Sequence, residues 1–257
     1  MTEKAIIITG AAGGLGKATS VAAAELGYGV TLVDLSADAL EETRIAVERA
    51  GGRAVVATAD VSDPIAVQDY VDRARDAFGR IDGFFNNAGI NVPAAALIDT
   101  QDDDFDRCMS VNVKGVYLGL KSVLPVMMEQ GFGSIVNTGS MGSTGGIPGI
   151  SPYVASKHAV IGLTKTAALE AAKCGVRVNA VLPGNIRTRM MLESTQGSEE
   201  EAVALAASLV PQGRVGLPQD IADAVMFLIS ERSTHVTGIA LPVDGGITAQ
   251  VYPNFEQ

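Results

Sequence analysis

Thr9-Gly10-Ala11-Ala12-Gly13-Gly14-Leu15-Gly16-Lys17 follows directly on the apolar run KAIIIT (4–9) and opens an alanine-rich stretch reaching about Leu26. The run before it is short and β-branched, and the stretch after it is long and unbroken, so a strand, a glycine turn and a helix follow one another. Glycines allow a tight turn and let main-chain N–H groups approach a pyrophosphate at the helix N-terminus. The spacing is G-x-x-x-G-x-G rather than G-x-G-x-x-G, and Lys17 is followed by Ala18, so it is not a P-loop either. A plain flexible turn is the alternative, and the strand–turn–helix context weighs against it.

Working outward, the same kind of run recurs. YGVTLVD (28–34), RAVVATAD (53–60), IDGFFNN (81–87), GSIVNTG (133–139), VRVNAVLP (176–183) and GIALPVD (238–244) are compact and apolar rather than alternating. Strands buried on both faces read this way. Helical stretches lie between them. Asp63-Pro64 is a cap and first-turn pair for a helix to about Phe78, with Gly79 past its end, and Pro218 opens a helix over 218–230. The alternation predicts an α/β fold: one doubly wound Rossmann domain of about seven parallel strands with helices on both faces. No linker or repeat divides the chain, so residues 1–257 are read as one catalytic domain.

Composition narrows the partners. The chain has 257 residues, 47% hydrophobic and 19% charged, with a net charge of −10. That sign argues against a nucleic-acid backbone. Nothing approaches the ~18 consecutive apolar residues of a membrane span, and the start MTEKAIIITG lacks a secretory pattern. A cytoplasmic chain with neither nucleic-acid nor membrane partner is expected. Cys108 and Cys174 show no metal-like spacing and only His158 and His235 accompany them, so no protein-built metal site is expected.

Asp34 ends the second run, 24 residues after Gly10, with no Arg or Lys in Val33-Asp34-Leu35-Ser36. A carboxylate there accepts hydrogen bonds from ribose hydroxyls and repels a 2′-phosphate, which points to NAD rather than NADP; a strand-end surface acid is the alternative. Pro152-Tyr153-Val154-Ala155-Ser156-Lys157 sets Tyr153 and Lys157 at i and i+4 on one helical face. A free phenol has a pKa near ~10, and an adjacent ammonium and a cationic nicotinamide ring favour its phenolate. By itself Y-x-x-x-K is a weak pattern.

Together with the glycine turn and the strand order, these residues resemble the short-chain dehydrogenase/reductase family, in its compact single-domain form, over essentially the whole chain. Its pattern stands here as Thr9-Gly10 through Gly14 and Gly16, Asp60-Val61, Asn86-Asn87-Ala88-Gly89, Asn112, Ser140, Tyr153 with Lys157, and Pro183-Gly184-Asn185-Ile186-Arg187-Thr188, with no departure. The resemblance implies that Tyr153 exchanges a proton with the substrate oxygen and that Ser140 holds that oxygen. Lys157 would hold the nicotinamide ribose and lower the Tyr153 pKa, while Asn112 would bind a proton-relaying water; a helix-bend role for Asn112 is the alternative. The implied cofactor surface comprises Gly10, Gly14, Leu15 and Gly16 in the turn, then Asp34 and Leu35, then Asp60 and Val61. Asn87, Ala88 and Gly89 follow, with Pro183, Gly184, Ile186 and Thr188 near the nicotinamide. A purely loop-stabilising Asn87 fits equally well.

The substrate signal is weaker. Residues at about 188–213 should form a lid, with Met190, Met191 and Leu192 as apolar roof or as packing, and 141–150 and Asn91-Val92-Pro93 as walls. Apart from Arg187 and Arg189 nothing basic stands ready for an anionic substrate. A neutral, apolar secondary alcohol or ketone is expected, cyclic ones included, as in the bacterial cyclic-ketone and cyclohexanol-type dehydrogenases that the chain broadly resembles. The alternatives are a 3-oxoacyl thioester reductase and a non-catalytic NAD-binding sensor. The stretches 104–130 and 152–174 are apolar nearly all round, which asks for burial on both sides, and the resemblance implies a homotetramer.

Overall fold

The computed structural model describes residues 3–193 and 198–250. In chain order the elements are β1 (Lys4–Thr9), α1 (Gly14–Glu25), β2 (Tyr28–Asp34), α2 (Ala37–Arg49), β3 (Ala54–Thr58), α3 (Pro64–Phe78) and β4 (Gly83–Asn86). There follow α4 (Asp102–Met109), α5 (Gly115–Gln130), β5 (Gly133–Thr138), α6 (Ser151–Ala171) and β6 (Val176–Pro183), then α7 (Arg189–Glu193), α8 (Glu199–Ser208), α9 (Pro218–Ile229) and β7 (Ala240–Val243). The seven strands form one parallel sheet in the order β3-β2-β1-β4-β5-β6-β7. The order reverses between β1 and β4, and the crevice beyond their carboxyl ends is where open α/β sheets bind ligands.

Alternate residues of each strand enter two separate cores, which is why the runs read as continuously apolar. Ile7, Phe84, Ile135 and Val178 pack with α3, α5 and α6. Ile6, Ile8, Phe85, Val136 and Val181 pack on the other face with α1, α2 and α9. The Asp63 side chain accepts from the Ile65 N–H to start α3, and Gly79 ends it at φ +73°. The edge strand β7 is only half-buried.

The expected helix over 104–130 is broken by a π-helical turn, Ser110–Lys114, between α4 and α5. Such a turn adds a residue to the helix and re-aims the side chains on its wide face. Asn112 sits in it, fully buried. On α5 and α6, Tyr117 and Leu169 remain 47% and 81% exposed. Among the described residues no helix is long and apolar enough to cross a membrane.

Candidate active site

The turn after β1 is sewn to its neighbours before it can meet any ligand. Thr9 Oγ1 accepts the N–H groups of Asn87 (2.8 Å) and Ala88 (3.0 Å). Asn87 Nδ2 donates to the Thr9 carbonyl at 2.9 Å, and Thr138 Oγ1 donates to Asn87 Oδ1 at 3.1 Å. Asn87 therefore joins the ends of β1, β4 and β5 while also lining the crevice. Gly10 has φ +65°, and a Cβ on it would lie 2.8 Å from Asn87 Nδ2. The first N–H groups of α1 have no side-chain cap, since its N-cap is Gly13. They stay available to an anion.

The crevice is a cleft of about 470 Å³. Its walls include Gly10, Gly14, Leu15, Asp34, Leu35, Asp60, Val61, Asn87, Ala88, Gly89, Ser140, Tyr153, Lys157, Pro183, Gly184, Ile186 and Thr188. Two expected site residues do not line it. Gly16 is buried beneath the turn, where a Cβ would stand 2.1 Å from the Gly10 carbonyl oxygen. Its missing side chain lets the helix pass under the turn. Asn112 also lies behind the wall. Its Oδ1 accepts the Ile90 N–H at 2.8 Å, and its Nδ2 donates to the Ile90 carbonyl (2.9 Å) and to Ser156 Oγ (3.0 Å). Met141, Ile147 and Ile150 line the cleft from the expected wall at 141–150, while Ile90, Val111 and Thr138 line it without having been singled out as site residues. The only signal for them was adjacency to the glycine and serine motifs.

At the strand ends the carboxylates are already engaged. Asp34 Oδ2 accepts the Ala12 N–H at 3.0 Å and Oδ1 accepts the Leu35 N–H at 2.7 Å. Asp60 Oδ1 accepts the Ser62 N–H at 2.8 Å.

Ser140 stands two residues beyond β5, at the start of a 3-10 turn, and its Oγ accepts the Gly142 N–H at 3.1 Å. Its hydroxyl lines the cleft with Tyr153, near enough to lower the phenol's pKa. Of the other nearby serines, Ser134 Oγ donates to the Leu228 carbonyl and Ser143 Oγ to the Lys157 carbonyl, while the Ser151 hydroxyl is buried outside the cleft. Lys157 Nζ lies 5.5 Å from the centre of the Tyr153 ring. It donates to the Thr138 carbonyl at 2.8 Å.

The cofactor-free electrostatics set a baseline. Burial pushes the Tyr153 phenol above its usual range, and the Ser140 hydroxyl offsets this only in part. Burial also lowers Lys157 to about 8. The lysine is directed at Thr138 and still largely protonated at neutral pH, yet burial keeps the phenol raised in the protein without its cofactor.

Ile90, Met141, Ile147, Ile150, Met190 and Met191 add an apolar lining to the cleft, with Asn185 and Arg189 also on the wall. Leu192 and Asn91-Val92-Pro93 are not part of it. Arg187 Nη2 pairs with Glu199 Oε1 at 2.7 Å, and Asn185 Nδ2 donates to the Ala206 carbonyl at 3.0 Å. Among the described residues no cluster of His, Cys, Asp and Glu could hold a metal ion.

A serine, a tyrosine and a lysine gathered at the carboxyl end of a parallel sheet, beside a glycine turn, define a Rossmann-type oxidoreductase. The chain belongs to the short-chain dehydrogenase/reductase family. A family model described as Enoyl-(Acyl carrier protein) reductase matches residues 10–248. Levodione reductase of Leifsonia aquatica is 42% identical over 254 residues, covering 96% of this chain and 95% of the relative. Its crystal structure superposes with a TM-score of 0.94 at 40% identity, over 98% of this chain and 100% of that one. 3-Oxoacyl-[acyl-carrier-protein] reductase FabG of Thermotoga maritima is 40% identical over 244 residues, covering 95% and 97% of the two chains. NAD⁺-bound xylitol dehydrogenase has a TM-score of 0.89 at 36% identity, over 95% and 98% of the two chains. Other solved neighbours of the fold hold NADP.

Proposed function

We propose that this enzyme interconverts a neutral, apolar secondary alcohol, cyclic alcohols included, and its ketone with NAD(H). The observation that carries the reading is the gathering of Ser140, Tyr153 and buried Lys157 in one cleft that isoleucines and methionines also line.

The residues fit the cofactor. The uncapped start of α1 at Gly13–Leu15 suits a pyrophosphate, and Gly14 carries no side chain to obstruct it. Asp34 suits the adenosine ribose diol and is unfavourable to a 2′-phosphate. Gly89, Pro183, Gly184, Ile186 and Thr188 would border the nicotinamide half, and Asp60 and Val61 the adenine half.

When bound, NAD⁺ accepts a hydride from the carbinol carbon and brings positive charge beside the phenol. Ser140 donates to the substrate oxygen and holds it at the Tyr153 hydroxyl. Tyr153 takes the alcohol proton in oxidation and returns one in ketone reduction. Lys157, titrating at about 8, sits where it can favour the phenolate once the cleft is filled. Asn112 holds the Ile90 backbone and so keeps the 87–90 loop against the cleft.

Residues 1–257 are read as a single domain with a substrate lid at about 188–213; residues 194–197 of that segment lie outside the described ones. The contacts of Arg187 with Glu199 and of Asn185 with Ala206 support a lid fastened to the nicotinamide-side strap. Exposed Tyr117 and Leu169 support homotetramer formation.

A spectrophotometric panel of cyclic and linear secondary alcohols with NAD⁺ or NADP⁺, with Tyr153→Phe as control, tests the reading. Turnover with NAD⁺ that is lost in the variant is expected; preference for NADP⁺ defeats the assignment to NAD. The likeness to FabG favours a second reading, reduction of 3-oxoacyl thioesters on an acidic carrier. Asp34 and the net charge of −10 weigh against it.

A further inference from the structure

One peptide unit of the glycine turn is held at both ends by side chains from other elements. The N–H of the Ala11–Ala12 peptide donates to Asp34 Oδ2 at 3.0 Å. Its carbonyl oxygen, on Ala11, accepts from Thr43 Oγ1 at 3.1 Å. Thr43 lies on α2, 32 residues further along the chain, and is fully buried. Its single hydroxyl proton has a second acceptor, the Ala39 carbonyl of its own helix, at the longer distance of 3.4 Å. Ala11 is also buried, and its N–H donates to the Val33 carbonyl at 3.1 Å. A buried carbonyl needs a donor, and Thr43 supplies one from the side opposite the cleft.

We infer that Thr43 is a positioning residue for the cofactor. With Asp34 it fixes the plane of the Ala11–Ala12 peptide, and this sets the course of the turn so that the uncapped N–H groups of Gly14 and Leu15 face the cleft. Thr43 is not among the cleft-lining residues, so it acts through the turn and touches no ligand. Flipping that peptide would give up the Thr43–Ala11 hydrogen bond and turn a carbonyl toward the Asp34 carboxylate, where the two acceptors repel. The two side chains together exclude that state. This rests on the assignment of the turn to a dinucleotide pyrophosphate, and it makes α2 a supporting part of the cofactor site.

The test uses Thr43→Val, which keeps the shape and removes the hydroxyl, and Thr43→Ser, which keeps the hydroxyl. NADH and NADPH are titrated into each purified protein by nucleotide fluorescence, alongside melting temperatures and steady-state kinetics. For Thr43→Val the dissociation constant of the preferred nucleotide should rise about five- to tenfold, the yield of one buried hydrogen bond. KM for that cofactor should rise with it, while kcat and the KM of the alcohol stay within about twofold. Thr43→Ser should restore the affinity. Unchanged nucleotide affinity in Thr43→Val overturns the inference, and so does an affinity loss that Thr43→Ser shares in full. If the parent protein prefers NADPH, the assignment to NAD falls. The role of Thr43 is still decided by the NADPH titration, because both nucleotides share the pyrophosphate.

Discussion

The ammonium of Lys157 donates a 2.8 Å hydrogen bond to the Thr138 carbonyl, so the catalytic helix α6 is tied to the end of β5 through the one charged side chain that the cleft buries completely. This contact satisfies a donor but does not offset the removal of the ammonium from water, and the Lys157 pKa falls from 10.5 to about 8.

That fall sets a pH signature for stability. Below about pH 8 both folded and unfolded chains carry the Lys157 proton, and the folded state bears the full desolvation cost. Between about pH 8 and 10.5 only the unfolded chain holds the proton, so stability gains from this group as pH rises. Lys157→Met should therefore stabilise the cofactor-free protein by roughly 2 kcal/mol at neutral pH, allowing for the lost hydrogen bond. The gain should fade by about pH 10.5. Denaturant melts at neutral and alkaline pH check it, and a gain that grows with pH would contradict the burial argument.

Tyr153→Phe removes one hydroxyl from a cleft wall it shares with Ser140. Turnover should fall by at least about a hundredfold, with the melting temperature nearly unchanged. Ser140→Ala should cost about tenfold or more in kcat. Since burial raises the phenol, the alcohol-oxidation rate should climb with pH through the alkaline range. A flat pH profile with full activity in the Phe variant would remove Tyr153 from the chemistry.

Asp34→Asn keeps an acceptor for the Ala12 N–H and removes the charge. The ratio of kcat/KM for NAD⁺ over NADP⁺ should shrink by about tenfold in this variant, through relief of repulsion toward the 2′-phosphate. Initial rates with both cofactors measure it. An unchanged ratio would show that Asp34 serves the turn and not the choice of cofactor.

Two glycines of one motif should respond differently to alanine. At Gly16 a Cβ meets the Gly10 carbonyl oxygen at 2.1 Å, and backbone must move. A loss of about 2 to 3 kcal/mol in folding stability is expected. At Gly14 the nearest atom, Thr188 Cγ2, is 3.4 Å away, so Gly14→Ala should fold normally and lose cofactor affinity instead. Urea melts and NADH titration separate the two effects; equal losses of stability would refute the distinction.

Much of this enzyme follows from its sequence alone, because the decisive patterns are local. Strands buried on both faces need runs such as KAIIIT, a pyrophosphate turn needs glycines between a strand and a helix, and Y-x-x-x-K sets two side chains on one helical face. These features determined the fold class and most of the cleft. The tertiary structure decided the rest. It put Gly16 under the turn and not in the cleft, set Asn112 in a π-helical turn against Ile90, and brought Thr43 of α2 to the Ala11 carbonyl. It also set, through burial, the cofactor-free pKa of Tyr153 above and of Lys157 below its ordinary value. Periodicity and spacing record which way a side chain leaves its own element. Burial, the second partner of a hydrogen bond and the charge state of a buried group depend on residues dozens of positions away, and only the packed chain brings those together.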